Sequence, residues 1–112
     1  MDGSLMSDRL WYVVGVISDI PRLGARVVVT PQGDIAVFRT ADDRVFVLHD
    51  SCPHKGGKLS QGIVHGTHVT CPLHNWVIGL ADGRAQEPDE GCTRTVKVRL
   101  DGERILLAIT AA

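Results

Sequence analysis

The feature that most constrains this chain is a pair of mixed clusters, Cys52-Pro53-His54 and Cys71-Pro72-Leu73-His74. They read C-x-H, sixteen intervening residues, then C-x-x-H. Each offers one thiolate and one imidazole. Both donor types suit iron and zinc, so residue type alone leaves the metal open. Structural zinc sites with two cysteines and two histidines usually place the cysteines on one knuckle and the histidines on another. Here each loop is mixed. Mixed loops make sense where two metals lie side by side, the cysteines meeting one and the histidines the other.

The surrounding sequence reads as strands and turns, with no convincing helix. Ala25–Thr30 is β-branched, Pro31-Gln32-Gly33-Asp34 forms a turn, and Ile35–Thr40 and Val45–His49 follow on either side of the polar turn Ala41–Arg44. This is the pattern of a β-meander. Thr93–Leu100 alternates apolar and polar residues, as a half-buried strand does. Asp101-Gly102 is a hairpin signal, with Arg104–Ile109 as the partner strand. Residues 50–92 hold all three cysteines, four of the five histidines and three of the five prolines, so this stretch reads as ligand-bearing loops. The expected fold is all-β: an antiparallel β-sandwich with a cluster-binding subdomain, about 50–92, inserted into one domain spanning 1–112.

Length and charge exclude several classes. A chain of 112 residues can bury a core without disulfide staples. A formal charge of -1 offers no basic footprint for nucleic acid. Leu10–Ile17 is apolar but follows Asp2 and Asp8, where a signal peptide would be basic, and it is too short to span a bilayer. The expectation is therefore a cytoplasmic chain with no membrane contact. An odd cysteine count in that compartment points to metal ligation or free thiols.

The two motifs resemble those of the Rieske [2Fe–2S] family, specifically its disulfide-free ferredoxin type. That resemblance implies that Cys52 and Cys71 bind a buried iron and that His54 and His74 bind an outer iron near solvent. Two neutral imidazoles in place of two thiolates leave the oxidised centre formally neutral, which raises its potential. Rieske centres span about −150 to +300 mV, against roughly −400 mV for plant-type clusters. The high-potential members carry a second cysteine in each loop; Gly57 and Leu73 stand in those places here. Their Ser and Tyr donors after the second loop are replaced by Trp76 and Ile78. Without those donors to the cluster sulfurs, the potential is expected toward the low end of the range. Gly56 and Gly57 are expected to let backbone N–H groups approach the sulfurs, and Leu73 to shield one side from water.

Other candidates rank lower. Cys92 is expected to be a buried structural thiol, His49 structural, and His65 and His68 part of a solvated hairpin around Gly66-Thr67. Glu87-Pro88-Asp89-Glu90-Gly91 reads as a solvated acidic turn, with Pro88 matching by position a family loop that covers the centre. No nucleophile triad, phosphate cradle or dinucleotide fingerprint is present, so no independent substrate site is expected.

The stretch His74–Gly83, followed by Pro88–Cys92, resembles the small subunit of assimilatory NAD(P)H nitrite reductase. The resemblance implies a large-subunit partner carrying FAD, siroheme and a [4Fe–4S] cluster, with this chain in its electron route. Two alternatives stay open: a ferredoxin serving a ring-hydroxylating dioxygenase, and a structural subunit with zinc or no metal.

Overall fold

The computed structural model describes residues 9–31, 33–52, 57–72, 75–87 and 90–110. Among these residues, nine strands run in chain order: β1 (Arg9–Val16), β2 (Ala25–Thr30), β3 (Gly33–Arg39), β4 (Val45–His49), β5 (Ile63–His65), β6 (His68–Thr70), β7 (Val77–Gly79), β8 (Val98–Asp101) and β9 (Arg104–Thr110). They form three antiparallel sheets, ordered β1-β9-β8, β2-β3-β4 and β5-β6-β7. Helix among the described residues is confined to two 3-10 turns, Ile17–Asp19 and Leu59–Gln61. The all-β expectation holds.

The meander is the middle layer, and strand periodicity explains why. Side chains alternate between the two faces of a strand. In β3, Ile35 and Val37 join Val45, Val47, Ile105 and Leu107 in one buried cluster, which closes the sandwich against β1-β9-β8. Ala36 and Phe38 point the other way. They pack with Leu48, Leu59, Val64, Val69, Ile78, Leu80 and the two motif cysteines. A run buried on both faces must be apolar throughout, as Ile35–Phe38 is.

The turn between β3 and β4 is held by charge. Asp43 adopts a left-handed backbone, φ 66. Its carboxylate accepts hydrogen bonds from Arg22 and from Arg39. Arg39 also donates to the Ile17 and Ile20 carbonyls, tying the turn to the first 3-10 turn. Hydrogen bonds from Arg22 and then Arg39 hold Asp43 at a pKa of about 2. Because this value is depressed in the fold, the stabilisation is fully present above the unfolded carboxylate pKa of about 4 and disappears as pH falls through the folded value. Asp43→Asn is therefore expected to flatten the acid limb of the stability–pH profile below about pH 4. Urea titrations across that range check this; identical limbs would contradict it.

Two expectations need correction. Ile35–Thr40 ends at Arg39, because Thr40 turns: its N–H donates to the Arg44 carbonyl and its hydroxyl accepts the Arg44 N–H. Thr93–Leu100 is not one strand. Its alternation is real, but its partners change along its length. The Arg94 carbonyl accepts the His49 N–H and the Val96 N–H donates to Val47, both on β4, and only Val98–Asp101 then pairs with β9. The apolar run Leu10–Ile17 largely becomes β1, laddered along β9.

Candidate metal centre

Both cysteines sit at the start of similarly closed loops. Cys52 follows β4, and its N–H donates to the Gly57 carbonyl at 2.7 Å. Cys71 follows β6, and its N–H donates to the Trp76 carbonyl, also at 2.7 Å. Each bond reaches five residues ahead, so the two loops reverse in the same way. In the second loop Asn75 takes the left-handed conformation, φ 58, that asparagine tolerates better than most residues. Cys52 is 2% exposed and Cys71 0%. Both side chains belong to one packed cluster.

This arrangement fits a metal centre. Two cysteine sulfurs, buried in one cluster on twin loops, are soft donors for iron. His54 and His74, with Leu73 and Gly56, lie outside the described residues. Among the described residues, no three Cys, His, Asp or Glu side chains converge to hold a metal ion. Of the four expected ligands, Cys52 and Cys71 are described and share one buried cluster.

The remaining candidates separate clearly. Cys92 is exposed, contrary to expectation. It lies in the irregular stretch before β8, bridged to Arg84, and lines a surface depression with Asp82, Glu87 and Glu90. The alternation of a strand that would have turned it inward does not reach this far. Pro88 and Asp89 lie outside the described residues, so the covering role expected of Pro88 does too. His65 and His68 close the β5–β6 hairpin with stacked rings, and His65 Nε2 hydrogen-bonds Thr70 Oγ1. His49 ends β4, its pKa lowered by burial and then by Arg94. Ile78 is fully buried, so its position presents hydrocarbon where a hydroxyl donor was considered. Sequence reasoning missed Asp50, buried at the base of the first loop and bonded to Ser60.

The fold and the twin loops define a small β protein with two buried cysteines at the starts of two similarly closed loops. The chain belongs to the Rieske [2Fe–2S] domain family, whose pattern matches residues 10–99. Membership implies one [2Fe–2S] cluster and a redox role within an oxidoreductase system. The anthranilate 1,2-dioxygenase ferredoxin subunit of Burkholderia cepacia is 37% identical over 73 residues, 65% of this chain and 67% of that one. The 4β-methylsterol monooxygenase of Methylococcus capsulatus is 36% identical over 85% of this chain, but the match spans only 27% of that enzyme's length. Among solved structures, a chain described as an NADH-dependent nitrite reductase small subunit from Mycobacterium tuberculosis superposes with a TM-score of 0.81 at 22% identity, covering 93% of this chain and 98% of that one. The ferredoxin of carbazole 1,9a-dioxygenase from Nocardioides aromaticivorans gives 0.78 at 23% identity, covering 88% and 96%. At such identities these two likenesses speak for the fold alone.

Proposed function

We propose that this chain is the electron-transfer small subunit of an assimilatory NAD(P)H nitrite reductase, holding its [2Fe–2S] cluster on Cys52, His54, Cys71 and His74. The matching closure of the two loops at their buried cysteines supports the ligand assignment. The resemblance of His74–Gly83 and Pro88–Cys92 to nitrite reductase small subunits supports the partner assignment.

The cluster, when bound, accepts and releases one electron. The protein's part is to bury the sulfur ligands, exclude water with Phe38, Leu59 and Ile78, and present the imidazole side to a partner. On this reading the chain passes electrons, and reduction of nitrite to ammonia belongs to a large subunit with FAD, siroheme and a [4Fe–4S] cluster. A cytoplasmic setting goes with this reading. No helix among the described residues is long and apolar enough to cross a membrane.

A second reading, delivery of electrons to a ring-hydroxylating dioxygenase, is favoured by the 37% identity to the anthranilate dioxygenase ferredoxin subunit. Reconstitution separates the two. Adding the chain to its native siroheme flavoprotein is expected to form a stable complex and support nitrite-dependent NAD(P)H oxidation. Absence of that complex, with efficient electron delivery to an oxygenase instead, would favour the second reading.

A further inference from the structure

The two loops are closed by the same five-residue hydrogen bond but differ immediately behind it. Behind the second, β6 and β7 form a ladder, with Thr70 paired to Val77 immediately outside Cys71 and Trp76. Behind the first there is no ladder. β4 ends at His49, and the chain leaving Gly57 enters the 3-10 turn Leu59–Gln61. A side chain occupies the place of the missing rung. Asp50 Oδ1 accepts the Ser60 N–H at 2.7 Å and Oδ2 accepts the Ser60 hydroxyl at 2.7 Å. Both carboxyl oxygens are thus engaged by the one residue. The carboxylate itself is placed by its backbone, whose N–H donates to the Asp34 carbonyl at 3.0 Å. Asp50 is only 6% exposed, so its charge is poorly screened by water.

The clamp reaches the second loop through the same 3-10 turn. Leu59 is fully buried among the residues that enclose both cysteines. Gly62 closes the turn so tightly against the second loop that a Cβ there would lie 2.3 Å from the Thr70 carbonyl oxygen. Fixing Ser60 therefore fixes a wedge that touches both loop bases.

We propose that Asp50 is a positioning residue for the metal centre: its carboxylate replaces a strand rung behind Cys52, sets that loop against the Cys71 loop through Leu59–Gly62, and places a buried negative charge that opposes reduction. The inference rests on the reading of Cys52 and Cys71 as cluster ligands. Residues that orient ligands from behind tune affinity and potential together. A fixed anion near a redox centre disfavours the added electron by Coulomb repulsion.

The test compares wild type, Asp50→Asn, Asp50→Ala and Ser60→Ala, each full-length and prepared without oxygen. Iron per chain, the rate of iron loss to a chelator and the midpoint potential are measured. Asp50→Asn keeps the shape: its carbonyl oxygen accepts the Ser60 N–H and its amide donates to the Ser60 hydroxyl. It is expected to retain its iron while the one-electron equilibrium moves about threefold or more toward the reduced form, roughly 30 mV upward at about 59 mV per decade. Asp50→Ala is expected to lose iron about tenfold faster, as removal of outer-shell support does. Ser60→Ala, which leaves the carboxylate in place, should fall between, and it carries the positioning claim if Asp50→Ala fails to fold. A wild-type potential in Asp50→Asn, or wild-type iron loss in Ser60→Ala, would overturn the proposal. Iron-free wild type would instead overturn the ligand assignment on which it rests.

Discussion

Cys71→Ser is expected to yield a colourless chain without the visible absorption or the reduced-state paramagnetic signal of a [2Fe–2S] centre, and Cys52→Ser is expected to do the same. The argument is one of donor chemistry in a closed place. A serine hydroxyl is a harder, far less acidic donor than a thiol and gives iron little to hold. Cys71 is fully buried, so water is a poor substitute ligand there. Because ligation and folding are coupled in sites of this kind, losing the centre should also loosen residues 50–92. The sandwich should survive, since Ile35, Val37, Val47, Ile105 and Leu107 form a core that contains neither cysteine. Iron analysis and far-UV circular dichroism check both halves: no iron, but most of the strand signal retained. Cys92→Ser is the control. That thiol is exposed and outside the ligand cluster, so the variant should match wild type. A Cys71→Ser protein with full iron and an unchanged spectrum would refute the ligand assignment.

Phe38→Ala is expected to be the most costly single change to the fold, at about 3–5 kcal/mol. Phe38 is 0% exposed, and it lies on the face of β3 that meets the ligand loops. Its removal deletes apolar contact and leaves a cavity beside Cys52 and Cys71, which the packed neighbours can fill only in part. Leu107→Ala, in the other core cluster, should cost about 2–5 kcal/mol by the same mechanism. The two should differ at the centre. Phe38→Ala should also broaden the reduced-state resonance and speed iron loss under native conditions, while Leu107→Ala leaves the line shape alone. Urea unfolding and electron paramagnetic resonance on both variants check this. A cost below about 1 kcal/mol for Phe38→Ala would contradict the two-sided packing of β3.

These contrasts also mark how far the sequence could be read. Ala25–Thr30 and Val45–His49 are visible as strands because β-branched and apolar runs end at polar turns, and the structure keeps both boundaries. The ligand residues stand out because thiolates and imidazoles in matched pairs are rare outside metal sites. What stays hidden depends on partners distant in the chain. Thr93–Leu100 has the alternation of one strand, yet it changes neighbours from β4 to β9, and periodicity carries no record of which neighbour a residue meets. The exposure of Cys92 follows from that irregular stretch. The Asp50–Ser60 clamp is likewise silent in sequence, since a carboxylate bonding a backbone N–H ten residues away leaves no periodic trace.

The account turns on iron held by paired sulfur and ring-nitrogen ligands, and pulsed electron paramagnetic resonance on anaerobically reduced protein tests this most directly. It predicts two irons per chain and a spectrum carrying hyperfine coupling from two histidine nitrogens, lost stepwise when His54 and His74 are replaced. Oxygen-protected protein that contains zinc or no metal, or an iron signal free of nitrogen coupling, would contradict it.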